Sequence, residues 1–268
     1  MDGEDVFRFG DTDREIGFHR LTSEALKILS SEQVELFNNV GYLRGLPGLG
    51  HEEIVELRHY LDWLIDEVVS ADDRRNSYSI NQYHQVCGPL WDLIHTPIFV
   101  SYVTDVLGPE AVCWSTHMFC KLPGDNMEVP LHQDANYWPF TPTKSVTIWL
   151  AIDDVDRENA AMQFVPGSHL GGALPHEDLA LDGTRVLKRQ VENPEGAIRK
   201  SVFAADLAGG ASELGPDLEG AQDAPGVIRM QPLGGRGIHF FEASVEPLRI
   251  LLRQGFRVFP LQPLAQLR

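Results

Sequence analysis

The chain has 268 residues, 43% of them hydrophobic and 23% charged, the balance of a protein with an ordinary packed core. A net charge of −17 and a pI near 4.9 disfavour a nucleic acid or an anionic membrane as partner. Three unclustered cysteines, Cys87, Cys113 and Cys120, argue against a disulfide framework and fit a cytoplasmic protein. The acidic start lacks the basic-then-apolar run of a signal peptide, and no apolar stretch approaches the roughly 18 residues of a membrane span.

Residues 1–20 are polar and charged and read as a loose arm, leaving 21–268 as a single domain. In "TSEALKILSSEQVELFNNVGYL", Ser30 or Ser31 is a plausible N-cap with Glu and Gln in the first turn. "GLGHEEIVELRHYLDWLIDEVVSADD" carries Ile54, Leu57, Leu61, Leu64, Ile65 and Val68 at helical spacing. "LWDLIHTPIFVSYVTDVLG" reads as a third helix ending at Gly108. The pattern then changes: "AVCWSTHMFCKL", "KSVTIWLAIDDV" and "AMQFVPGSH" are β-branched and aromatic, with Gly and Pro punctuation. Residues 183–226 are polar and Gly- and Pro-bearing, an insert or lid. "VIRMQPLGGRGIHFFEAS" returns to strand character. Helices first and strands afterwards predict an α+β, mainly β domain with the helices packed outside a barrel or sandwich.

In "VPLHQDANYWPF", His132 and Asp134 stand two positions apart. On a strand, i and i+2 share a face, so an imidazole nitrogen and a carboxylate oxygen would converge on one point. Such a pair, completed by a distant histidine, presents a 2-His-1-carboxylate face to Fe(II). By itself the spacing is far more often that of a solvated strand end than of a metal site.

The surrounding residues narrow the choice. "LHQDANYWPFTPTKSVTIWLAIDDVDRENAAMQFVPGSHLGGALPHE" closely resembles the phytanoyl-CoA dioxygenase (PhyH-like) family of Fe(II)- and 2-oxoglutarate-dependent oxygenases, through HQD, the aromatics after it, "SVTIWLAIDD", "EN", and "PGSH" followed by "LPH". The opening "LSSEQVELFNNVGYLRGLPGL" is similar to that family's first helix and strand. The resemblance covers roughly residues 28–180 and implies a double-stranded β-helix (jelly roll, cupin-like), an iron centre, and 2-oxoglutarate and O2 as co-substrates. It makes His132 and Asp134 iron ligands. Gln133 would point away while its backbone borders the site. His117, Trp149 and Gln82 fall where the family contacts 2-oxoglutarate, although Trp149 also suits a core and His117 a strand. Tyr137, Trp138 and Phe140 would line a substrate mouth or cap the barrel. The implied partner is a mostly apolar small molecule, a natural-product intermediate or fatty-acyl derivative, and the implied reaction is hydroxylation of an unactivated C–H bond.

The resemblance breaks in residues 234–268. The family supplies its third ligand in a segment like H-G-S-x-x-N-x-S, with an arginine about ten residues on for the 2-oxoglutarate carboxylate. Here that histidine would fall near Pro247. His239, Glu242 or Glu246 are conceivable substitutes, and Arg257 or Arg253 could supply the guanidinium. A rebuilt site, a scaffold that has lost catalysis, or a tail from a shifted frame or alternative exon would each account for this. The alternatives to the oxygenase are therefore a non-catalytic jelly-roll protein binding a small molecule, and a cupin-type enzyme using another metal without 2-oxoglutarate.

Overall fold

The computed structural model describes residues 17–70, 80–120, 128–137, 143–154, 162–180 and 184–195, together with the backbone of 202–203, 228–231, 237–244 and 259–260. Helix α1 (Ser31–Val40) starts at Ser30, whose hydroxyl accepts from the Gln33 amide while the Gln33 side chain accepts from the Ser30 amide. This reciprocal box satisfies two of the donors every helix start leaves open. Gly41, at φ +91, ends α1 in the left-handed region. After β1 (Leu43–Leu46), α2 (His51–Ser70) buries Ile54, Leu57, Leu61, Leu64 and Val68, while Ile65 is only partly covered.

The predicted third helix is two. Strand β2 (Ile80–Asn81) and a short turn lead into α3 (Gly88–Ile94), and α4 (Pro97–Leu107) begins afresh. The break follows from Pro97: its ring disfavours helical backbone in the residue before it, and Thr96 sits at ψ 126. Gly108 does end α4, its amide bonded to the Thr104 carbonyl at 2.9 Å. The Asp105 carboxylate, on α4, accepts three successive amides, Lys27, Ile28 and Leu29, at 2.8–2.9 Å. One side chain thus ties the segment before α1 to the central helix.

The long strands form a seven-stranded antiparallel sheet. Its order is β1, β9 (Ile228–Gln231), β4 (Ser145–Leu150), β10 (Gly237–Ser244), β3 (Val112–Phe119) and β11 (Phe259–Pro260), with β2 also paired to β3. Strand β4 is buried from Val146 to Leu150, and α4 packs across it. Two small ladders complete the strands: β5 (Gln163–Phe164) with β8 (Val202–Phe203), and β6 (His176–Asp178) with β7 (Arg189–Val191). Strands β7 and β8 belong to the segment expected to be an insert or lid, so part of it is paired. Residues 1–16 of the expected arm lie outside the described residues. Residues 17–20 are packed: the Gly17 amide bonds the Thr143 hydroxyl at 3.3 Å, and Phe18 meets Phe37 at 6.3 Å.

Asp105 carries a testable consequence. Asp105→Ala leaves three amides without their acceptor, one of them partly buried, and should cost about 1–3 kcal/mol, read as a fall of several degrees in the thermal unfolding midpoint. An unchanged midpoint would show that water serves those amides as well as the carboxylate does.

Candidate functional site

His132 and Asp134 do not lie on a strand. Gln133 has extended backbone (φ −116, ψ 127), and Asp134 opens a 3-10 turn, Asp134–Asn136, closed by the Tyr137 amide on the Asp134 carbonyl at 2.7 Å. One extended residue is enough to bring its two neighbours to the same side. His132 Nε2 and Asp134 Oδ1 stand 3.3 Å apart, both side chains only 5% exposed.

The proton positions follow from the partners. His132 Nδ1 lies 2.7 Å from the Pro130 carbonyl. A carbonyl only accepts, so Nδ1 carries a hydrogen, and Nε2 is the nitrogen turned to the carboxylate. Both oxygens of Asp134 are buried without a hydrogen bond of full geometry among the described residues. Burial pushes the Asp134 pKa up, and the nearby His132 and Thr147 groups oppose this without cancelling it. Nε2 and the carboxylate face each other out of water, an arrangement that a shared proton or a cation between them satisfies. An imidazole with Nδ1–H held by a carbonyl and Nε2 free is the form that ligates metals. The pair therefore fits a divalent metal as two of its ligands. Among the described residues no group of three or more His, Cys, Asp or Glu side chains completes such a site.

A clasp holds the segment between the two ligands. The Gln133 amide donates to His176 Nε2 at 3.1 Å, and His176 Nδ1 donates to the Leu174 carbonyl at 2.8 Å. The Gln133 side chain reaches the same loop, donating to the Gly172 carbonyl at 3.0 Å and accepting from the Leu174 amide at 2.8 Å. The Gln133 amide needs an unprotonated Nε2 as its acceptor, and burial first of all lowers the His176 pKa. The "LPH" run, one of the features shared with the family, was the available signal for His176. Tyr137 stands edge-on to the His132 ring at 5.8 Å and anchors to the Arg189 carbonyl at 2.8 Å. Trp138 and Phe140 lie outside the described residues.

A cavity of about 180 Å³ opens beside Asp134, walled by His132, Thr147, Val146 and Leu107 and crossed by residues 17–21. A smaller one of about 50 Å³ touches the other side of His132, against Tyr42, Leu131 and Phe164. Trp149, Gln82 and His117 do not line either cavity. Trp149 is fully buried in a second core cluster with Tyr42, Ala151, Met162 and Phe164. Gln82 is exposed, in left-handed backbone at φ 61. His117 is partly covered on β3, where burial takes its pKa down to about 4. His239 sits on β10 in register with His117 on one side and Trp149 on the other, and Glu242 in register with Ser115 and Thr147. Glu246, Arg253 and Arg257 lie outside the described residues.

Comparison with known proteins adds to this geometry. The sequence model of the family described as phytanoyl-CoA dioxygenase (PhyH) matches residues 41–195. The peroxisomal phytanoyl-CoA dioxygenase of Bos taurus is 34% identical over 85 residues, 30% of this chain and 25% of that protein. "Probable phytanoyl-CoA dioxygenase" of Caenorhabditis elegans is 26% identical over 174 residues, 56% of each chain. This chain thus spans between a quarter and about half of those relatives. The crystal structure of EctD from S. alaskensis with 2-oxoglutarate and 5-hydroxyectoine superposes with a TM-score of 0.60 at 13% identity, over 90% of this chain and 84% of that one; the two share a fold.

Two measurements test this account of the site. His176→Phe keeps a ring but removes the acceptor and donor of the clasp. Divalent metal affinity should fall by about 10–100-fold with the unfolding midpoint little changed, and an unchanged affinity would remove His176 from the ligand support. The second concerns pH. Burial, with His95 adding to it, lowers His84 to about 4, as it does His117, below the ordinary value of 6.5. The unfolded chain then binds more protons than the folded one between those values. Stability is therefore full above about pH 6.5 and is lost as pH falls toward 4. Thermal midpoints at pH 7.5 and 5.0 should differ less in His84→Asn than in the parent, and equal differences would contradict the assignment.

Proposed function

This chain belongs to the phytanoyl-CoA dioxygenase (PhyH) family, and on that premise we propose that it is an oxygenase dependent on Fe(II) and 2-oxoglutarate. The observation that carries the reading is the facing buried pair, His132 Nε2 and Asp134 Oδ1 at 3.3 Å, with Nδ1 committed to a carbonyl. Those two side chains would hold the iron. The chemistry such a centre supplies is activation of O2 with decarboxylation of 2-oxoglutarate to succinate and CO2, one oxygen atom passing to a C–H bond of the substrate. The fold that supports it is the double-stranded β-helix, and cytoplasmic placement goes with the reduced cysteines.

The protein's own contribution is positional. Burial keeps the carboxylate out of water, so that its affinity for a cation is not spent on hydration. The Pro130 carbonyl fixes the tautomer, and the clasp of Gln133 and His176 fixes the backbone between the ligands. The substrate proposed for the cavity beside Asp134 is a small, mostly apolar molecule, hydroxylated at an unactivated carbon. Arg257, or Arg253, is proposed for the distal carboxylate of 2-oxoglutarate, where a guanidinium fork suits two oxygens. His117, Trp149 and Gln82 keep the weaker claim that the family resemblance assigns them.

One observation favours a second reading. The family's late H-G-S motif is missing, and no third ligand joins the pair among the described residues. A non-catalytic jelly-roll protein that keeps the pocket would show both features.

Aerobic incubation with Fe(II) and 2-oxoglutarate separates the two. The oxygenase should release succinate even without its true substrate, and His132→Ala or Asp134→Ala should abolish release and weaken metal binding by about 100-fold or more, as loss of one ligand of an incomplete set requires. Folded, iron-loaded protein that yields no succinate would establish the non-catalytic reading instead.

A further inference from the structure

The cavity beside Asp134 is closed on one side by a strap, residues 17–21, which come from the segment read in the sequence as a loose arm. Both ends of the strap are tied down. At one end the Gly17 amide donates to the Thr143 hydroxyl at 3.3 Å, just before β4. At the other, the Asn38 side chain of α1 accepts from the Leu21 amide at 2.8 Å and donates to the Leu21 carbonyl at 3.1 Å. Asn38 is buried, so this two-way bond forms out of competition with water. Between the ties, Phe18 and His19 line the same cavity as His132 and Asp134.

Phe18 is set by packing rather than by polar bonds. Its ring meets the His169 ring edge-on, centroids 4.4 Å apart at 83°, and lies tilted to Phe37 at 6.3 Å. His169 is itself fixed, its Nε2 donating to the Asn38 carbonyl at 3.2 Å. It can lie there only because residue 41 is glycine: a Cβ at Gly41 would come within 2.5 Å of His169 Nδ1. One chain of contacts, Gly41 to His169 to Phe18, therefore decides how far the aromatic ring stands from the metal pair. A volume of about 180 Å³ is several times the roughly 30 Å³ that one water occupies in the liquid, so the space suits a small organic molecule.

We propose that Phe18 is a specificity-determining residue, the wall that sets the length of the apolar molecule admitted beside His132 and Asp134. The proposal rests on the oxygenase reading for the purpose of the cavity, and on packing alone for its dimensions. A shorter side chain at 18 opens the space toward α1, and a larger one narrows it. His19 shares the strap, but His169 gives Phe18 the fixed backing that a size limit requires.

The test uses the full chain without metal, and straight-chain 1-alkanols from butanol to decanol titrated by calorimetry. Affinity should rise with length and then fall at a cut-off. Phe18→Ala should move that cut-off to longer alcohols and raise affinity for the first excluded alcohol about tenfold, while Phe18→Trp should move it to shorter ones. Trp63→Ala, an exposed aromatic on α2, serves as the control and should leave the cut-off in place. Identical cut-offs in all four proteins, or no alcohol binding to the parent, overturn the proposal. Because metal is absent, the result is independent of the succinate assay. A shifted cut-off without succinate supports Phe18 and sinks the oxygenase, and succinate with an unshifted cut-off does the reverse.

Discussion

The site depends on a carboxylate kept out of water opposite an imidazole that cannot turn away. Burying an anion without a compensating charge is costly, so a protein tolerates it only when something else requires the anion there. In this chain the Pro130 carbonyl holds one ring nitrogen of His132, which commits the other to Asp134. Turning the His132 ring would break its bond to the Pro130 carbonyl, and the surrounding structure holds the segment that carries both side chains.

Support comes from three directions. The clasp of Gln133 and His176 bonds the ligand segment to the loop before β6, using both the backbone and the side chain of Gln133. Strand β4 lies behind the carboxylate, with Thr147 beside it and α4 packed across the strand. Lys144 donates to the last carbonyl of α4 at 3.2 Å, a favourable place for a positive charge at a helix C-terminus. The third direction is the N-terminal side, where α1, the glycine that ends it and His169 together form a rigid edge to the cavity. The bonds that hold the pair are mostly short and involve backbone partners, which gives them definite geometry.

The other half of the large sheet raises a different issue. Strand β10 runs between β3 and β4 and puts His239 level with His117 and Trp149, and Glu242 level with Thr147. The family motif that would follow this strand is replaced by "VEPLRILLRQGF". A metal centre needs at least a third donor to be held firmly, and loss of one ligand leaves affinity to the remaining two. His132 and Asp134 supply two donors, and the third that a metal centre needs is not among the described residues. Both functional readings follow from that.

Much of this was legible in the residues alone. Helical periodicity marked α2 and its buried stripe, because a 3.6-residue repeat of apolar side chains has one way to hide from water. Ser30 or Ser31 marked the start of α1, since the open donors of a helix start demand particular side chains. HQD with its flanking words marked the ligand pair, because a chemistry that needs two specific donors restricts residue identity directly. That the third helix divides at Pro97 was readable in principle, since the ring disfavours helical backbone at Thr96. What the sequence could not decide was anything that depended on distant segments meeting. That His132 and Asp134 flank a single extended residue at the start of a 3-10 turn, rather than sit on a strand, goes with the bonds from the loop at 172–176 to Gln133. That "GFHRL" closes a cavity 110 residues away in sequence required Asn38 and Thr143 to capture it. Local pattern records the preferences of neighbours along the chain; contacts across it depend on the shape the whole chain takes, and only folding supplies that.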